Sequence, residues 1–198
     1  MRPPVVGATM IAMSAVPVLR PARPADLPAI GALMAASVRA HFPSHYDARQ
    51  TASAAVHIAR PDPVLVDDGT YYVHDAGGRI VACGGWSVRA KLFAGPSDDP
   101  DDDPLRRIDP ATESARIRAM FVDDGWTRRG LGRDIVETSA RAAAAAGFTT
   151  VVLVATLPGV ALYESCGFVA RRPVPIVHPD GVQLDGLMMD RPAAVRPG

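Results

Sequence analysis

Two glycines and three arginines meet in Thr127-Arg128-Arg129-Gly130-Leu131-Gly132-Arg133, just after the apolar run Met120-Phe121-Val122 and just before a long alanine-rich stretch. Such a composition suits the junction of a strand with a helix. Glycine has no Cβ, so the chain can turn sharply there and leave unpaired N–H groups at the helix start. Aligned peptide dipoles add about half a positive charge at that end, which makes a phosphate a natural ligand. Arg128, Arg129 and Arg133 add side-chain charge to the same spot. The competing reading of Gly130 and Gly132 is a tight, closely packed turn that binds nothing.

Two familiar phosphate chemistries do not fit. A dinucleotide fingerprint asks for G-x-G-x-x-G/A, but Ile135 fills the last position, and the next strand, ending at Ala155-Thr156, supplies no acid for a ribose. A P-loop needs Gly-Lys-Ser/Thr, and the chain's single lysine is Lys91. Cys83 and Cys166 are the only cysteines and have no CxxC spacing, so neither a zinc site nor a disulfide scaffold is expected, no metal is assigned, and a reducing cytoplasm is the default compartment.

The elements that must hold this segment can be read from periodicity. Val16 to Arg20 reads as a first strand, and Pro24-Ala25-Asp26 opens a helix whose buried face is Leu27, Ile30, Leu33, Met34 and Val38. A second helix is expected over Tyr46 to Ala59, ending at Arg60-Pro61. Strands are expected at Thr70 to His74 and Ile80 to Val88, joined by the hairpin residues Ala76-Gly77-Gly78. The aspartate- and proline-rich stretch from Ser97 to Pro110 reads as an exposed, mobile loop. Next come a strand at Ala115 to Val122, a helix from Gly130 to Ala146 stopped by Gly147, and a buried strand at Thr150 to Ala155, together a β-α-β unit. A short helix at Val160 to Cys166 and strands near Val169 to Val174 and Leu184 to Asp190 close the chain.

Composition fits one domain: 198 residues, 48% hydrophobic, 21% charged, formal net charge +0. A chain so balanced lacks the basic excess of a nucleic-acid binder, and no apolar run reaches the length of a membrane span, so neither nucleic acid nor membrane is an expected partner. Residues 1–15 are expected to be a flexible leader rather than a secretory signal, 16–191 a single domain, and 192–198 a flexible tail.

The order strand, Arg-Gly-Leu-Gly loop, long helix, buried strand, then Ala161-Leu162-Tyr163-Glu164-Ser165-Cys166-Gly167-Phe168 resembles the GNAT family of acyl-CoA-dependent N-acyltransferases. Its signature is (Q/R)-x-x-G-x-(G/A) followed by A-x-x-L-Y-x-x-x-G-F or a close variant. The resemblance is strongest over Arg116 to Val169 and extends to Val18 to Leu27; Thr156-Leu157-Pro158-Gly159-Val160 looks like a bacterial subgroup. Two departures stand out. Thr127 replaces the Gln or Arg of the first motif, and Thr156 stands near where many members carry asparagine.

The resemblance implies an α/β (α+β) GNAT fold: a single mixed, mostly antiparallel sheet with splayed parallel central strands and helices on both faces. It implies acetyl-CoA as co-substrate, its arm held by Met120, Phe121 and Val122, its pyrophosphate by Arg128, Arg129, Gly130, Leu131, Gly132 and Arg133, with Thr156 and Tyr163 also at the site. Backbone groups of Phe121 and Val122 would support the thioester carbonyl. Tyr163 takes the family's general-acid position, which leaves Cys166 as core rather than nucleophile. The strand carboxylate that often relays the amine's proton is missing; Glu113 and His74 are the candidates, and an amine arriving deprotonated needs neither. Trp86, Tyr46 and His74, with Phe42 and His45, are expected on the acceptor side. Asp98 to Asp103 reads as a solvated loop rather than an amine trap. The expected acceptor is a small-molecule primary amine. A protein N-terminus or lysine is the alternative acceptor, a catalytically weak acyl-CoA-binding module the alternative class, and a homodimer is allowed for.

Overall fold

The computed structural model describes residues 16–91, 103 and 105–194. Seven strands form one mixed sheet in the order β1-β2-β3-β4-β5-β7-β6. They are β1 (Val18–Pro21), β2 (Tyr71–Asp75), β3 (Ile80–Ser87), β4 (Ala115–Val122), β5 (Thr150–Thr156), β6 (Val169–Val177) and β7 (Gln183–Pro192). Every neighbouring pair is antiparallel except β4 and β5. That parallel pair needs a crossover, which is helix α4 defined below.

Helices α1 (Leu27–His41), α2 (Ala48–His57) and α3 (Pro63–Asp67) precede the central strands; α4 (Leu131–Ala145) and α5 (Val160–Ser165) flank β5 in the chain. Ile30, Leu33, Met34 and Val38 line the buried side of α1 and pack with Val73, Cys83 and Phe121. Val136, Ala140 and Ala143 of α4 pack instead with Trp86, Val151 and Leu153. The two clusters put helices on both faces of the sheet. Alanines on the buried stripe of α4 let that helix lie close to its strands, while leucine and isoleucine on α1 fill a deeper layer.

Local chemistry moves several boundaries from their expected places. Helix α2 starts at Ala48 rather than Tyr46 because Asp47 and Gln50 form a capping box, the Asp47 carboxylate accepting from Gln50 N–H at 2.7 Å and the Gln50 side chain accepting from Asp47 N–H at 3.0 Å. Pro61-Asp62-Pro63 ends that helical region and also opens α3, with Asp62 capping Val64 N–H and Pro63 in the first turn. Half of the residues expected as a loop from Ser97 to Pro110 fall outside the described set, including Asp98 to Asp102, but their last part is pinned. Arg107 bridges Arg89, Ile108 N–H donates to Val88 C=O, and the Ile108 side chain is 5% exposed. One isoleucine in a polar run is enough to dock it. Of the expected leader and tail, residues 1–15 and 195–198 lie outside the described set. Strand β7 itself runs through Pro192, and Ala193, 2% exposed, donates to Thr149 C=O, so the sheet outlasts the expected boundary at 191.

The β6–β7 hairpin is anchored to α2 by a buried polar knot. Ser53 Oγ lies 2.7 Å from both Asp180 Oδ2 and His178 Nδ1. The hydroxyl has one proton, which goes to Asp180, so His178 donates from Nδ1 and its Nε2 is the unprotonated nitrogen. Burial holds both His178, 2% exposed, and His74, 3% exposed, below the usual histidine range. An unfolded chain takes up protons on these rings near pH 6.5 whereas the folded chain resists, so stability falls as pH drops through that region. The depressed carboxylates Asp26, Asp68 and Asp180 lose their contribution only at lower pH. Urea denaturation should therefore show a lower midpoint at pH 5.5 than at pH 7.5; an unchanged midpoint would mean that neither histidine is held neutral.

Candidate functional site

Strands β4 and β5 share a ladder only at Ala115–Val151 and Arg116–Val152. Past those pairs they part, and the facing backbone edges of Ile117 to Val122 and of Leu153 to Thr156 border a cleft of about 1020 Å³. Two features bend β4 away. Its ladder with β3 steps from Cys83–Phe121 to Gly85–Arg118, three residues against two, and the extra residue is accommodated at Ala119, whose φ is +54°. Tyr71 clamps the bulge, its hydroxyl donating to Ala119 C=O at 2.6 Å.

Because Asp123 N–H donates to Val81 C=O, strand alternation turns the Val122 N–H toward the gap. Of the expected pair Phe121 and Val122, Val122 is thus the residue whose donor is free on that side. Met120, Phe121 and Val122 all line the cleft.

At one end the cleft meets the start of α4. Arg128 and Gly130 both have left-handed backbone, φ +62° and +83°, bracketing a concave turn of the kind whose successive N–H groups bind anions. A Cβ on Gly130 would meet nothing within 4 Å, so its side faces open space; a Cβ on Gly132 would come within 3.0 Å of Leu162. The two glycines therefore do different work. Gly130 makes the turn, and Gly132 brings α4 against α5. Arg128, Gly130, Leu131, Gly132 and Arg133 line the cleft. The Arg129 side chain lies outside the lining, its guanidinium stacked on the Trp126 ring 4.7 Å from the centroid. Thr127 donates to Asp124 C=O at 3.0 Å and so stiffens the turn where a longer polar side chain was expected.

Thr156 and Tyr163 complete this wall. The Tyr163 ring packs edge-on against Phe168, and its hydroxyl has no hydrogen-bond partner among the described residues. Burial pushes the phenol well above its ordinary range, so it stays protonated and serves as a donor. Both thiols are silent. Burial raises Cys166, and lifts Cys83 to about 12.

The opposite end belongs to residues that the sequence did not bring together. Phe42, Ile58 and Ile176 give it apolar walls, and Arg60, Asp62 and Arg118 give it charge. Arg118, on β4, donates from Nη2 to Asp62 Oδ2 at 3.1 Å, and its side chain is 9% exposed. Of the residues expected here, Phe42 lines the cleft and the others lie elsewhere. Trp86 is core, edge-on to Phe148 on the α4 side. His74 is buried 3.2 Å from Asp134 at the start of α4. His45 is exposed outside the lining. Tyr46 is a tie rather than a contact for substrate, its hydroxyl donating to Asp185 C=O at 2.6 Å and accepting from Leu157 N–H at 2.8 Å. Glu113 is also a correction. Arg106 holds it through two 2.8 Å bonds and lowers it to about 2, away from the cleft, so it has neither the position nor the basicity of a proton acceptor.

The Acetyltransferase (GNAT) family matches residues 33–168 of the chain. Among solved structures, a GCN5-related N-acetyltransferase from Rhodopseudomonas palustris is 17% identical, with TM-score 0.67 over 90% of this chain and 97% of its own. The PaiA N-acetyltransferase from Thermoplasma acidophilum, solved with coenzyme A, is 10% identical, with TM-score 0.61 over 89% and 98%. The ribosomal-protein-S18-alanine N-acetyltransferase from Escherichia coli is 18% identical, with TM-score 0.54 over 91% and 96%. At these identities the likeness is one of fold. No curated protein sequence matches at a significant level.

The two glycines should respond differently to substitution. Gly130→Ala should cost about 1 kcal/mol from its left-handed backbone alone. Gly132→Val should cost about 2 kcal/mol through overlap with Leu162, and that cost should shrink by about 1 kcal/mol in a Leu162→Ala background, as a double-mutant cycle on urea midpoints would read. Additive costs at Gly132 and Leu162 would show that the contact does not hold α4 against α5.

Proposed function

The chain belongs to the acetyltransferase (GNAT) family, and we propose that it transfers an acetyl group from acetyl-CoA to the primary amine of a small molecule by direct attack. The observation that carries this reading is the left-handed turn at Arg128 and Gly130 opening onto the gap between β4 and β5. Acetyl-CoA supplies an acyl group activated as a thioester, on a polar arm that ends in a pyrophosphate. The residues present fit it. Unpaired strand edges match an arm rich in amides, and the turn, the α4 dipole, Arg128 and Arg133 match the pyrophosphate.

Val122 N–H is the preorganised donor available for charge on the thioester carbonyl. Tyr163, kept protonated by burial, donates toward the departing sulfur. No covalent enzyme intermediate is required, which agrees with two buried, inert cysteines. The preference for a small molecule over a protein rests on the apolar walls of the acceptor end. Tyr46 ties the α1–α2 connection to β7 and to the residue after β5, and Phe42, Ile58 and Ile176 form walls where a protein segment would need an open groove.

A thiol-release assay with acetyl-CoA and a panel of amines tests the reading. Turnover is expected with small amines and not with peptides, and acetyl-CoA should raise the melting temperature. Absence of both responses would overturn it; turnover of peptides alone would move the acceptor to protein. Tyr163→Phe should lower kcat about 10²-fold with acetyl-CoA affinity unchanged. Because the active form is the protonated phenol and burial raises its pKa, the native enzyme should show no alkaline loss from Tyr163 below pH 10.

A further inference from the structure

We infer that the acceptor amine carries a carboxylate, that is, an amino acid or a closely similar amino acid-like compound with an apolar body, and that Arg118 and Arg60 bind that carboxylate. The inference rests on the acyl-transfer reading of the cleft and names the acceptor that this same site takes.

Charge at the acceptor end is unevenly distributed. The guanidinium groups of Arg60 and Arg118 line the cleft together with the Asp62 carboxylate. Asp62 is already engaged on both oxygens, Oδ2 with Arg118 and Oδ1 with the Val64 N–H that starts α3. A polyamine or any other cationic acceptor placed between Arg60 and Arg118 would meet two cations and an acid already paired; Asp124, the other carboxylate of the cleft lining, stands beside His41 at 4.0 Å. An anionic group on the acceptor removes both objections.

Arg118 is built to receive that group. A guanidinium has five N–H donors in a planar fork, and Arg118 spends one, on Asp62. Its other donors have no partner among the described residues and are not sealed inside the protein. Keeping a 9% exposed guanidinium on a cleft wall is costly, and Asp62 both offsets that cost and fixes the fork's direction. Arg60 is exposed, with no ion pair among the described residues, and stands two residues before Asp62 on the same segment. The two side chains can close on a carboxylate from different elements. Phe42, Ile58 and Ile176 would cover the apolar body.

Matched pairs test the inference: glycine, leucine, phenylalanine, β-alanine and 4-aminobutyrate, each against its primary amide. The amide's amine is the less basic member and carries more free amine at neutral pH, so preference for the acid cannot come from intrinsic reactivity. The acid should be favoured in kcat/KM by about ten- to hundredfold for at least one pair, and calorimetry in the presence of coenzyme A should show the acid binding and its amide not. Arg118→Gln should collapse that ratio toward one and Arg60→Gln should lower it less. Arg118→Lys, which keeps a cation beside Asp62 and so protects the fold, should still lower the ratio at least threefold because the fork is gone. Amides used as well as acids, a ratio untouched in Arg118→Lys, or turnover confined to amines without a carboxylate would each overturn the inference while leaving acyl transfer standing. Failure of the protein to bind acetyl-CoA would overturn both.

Discussion

A gap in the middle of a sheet is the constraint on which the rest of this molecule depends. Central strands ordinarily satisfy their backbone groups on both sides, and leaving them unpaired away from water is costly. Here β4 and β5 part after two ladder pairs, so each has one satisfied edge and one that faces the cleft. The architecture absorbs this interruption in three ways. Antiparallel neighbours hold each strand from its outer side, β3 for β4 and β7 for β5. The bulge at Ala119 supplies the bend, and the Tyr71 hydroxyl takes up a carbonyl that the bulge would otherwise strand. Helix α4 spans both strands and keeps them from separating further.

The gap also sorts the electrostatics. At one end a helix N-terminus, a left-handed turn and exposed arginines offer positive potential to an anion, tempered by Asp124 and Asp134. At the other, positive charge is held within the wall by a single acid. A formal net charge of +0 hides this arrangement, because the sequence carries excess acid elsewhere, as in Asp98-Asp99-Pro100-Asp101-Asp102-Asp103.

How much of this could be read from the chain depended on how far apart the cooperating residues are. The strand, glycine turn and helix from Ala115 to Ala145 form one contiguous stretch in which composition directly encodes backbone geometry, and its expected bounds fall within a residue of those observed. Tyr163 lies in a second contiguous motif and faces the same cleft. The acceptor end follows no such rule. Arg118 and Asp62 are 56 positions apart, and Asp62 stands between two prolines that advertise a helix end rather than a ligand. Trp86 and His74 misled for the complementary reason: an aromatic or histidine on a strand does not declare which face of the sheet it takes, and both face α4 instead of the cleft. Glu113 was near the right strand, but its two bonds to Arg106 could not be read from spacing.

Where the resemblance leads one to expect a carboxylate on the strand before the phosphate turn, β4 has no acid and turns a guanidinium into the cleft, and the acid paired with it is the N-cap of α3. An acid on the strand would accept a proton; a cation there cannot. With Arg60 beside it on the cleft wall, that cation instead selects an acceptor that carries an anionic group. The Asp62 cap on α3 fits this view, since it holds the guanidinium in place and accepts Val64 N–H at 3.2 Å with the oxygen that Arg118 does not use. The short helix that sequence periodicity passed over is therefore what sets the chemistry of the acceptor end.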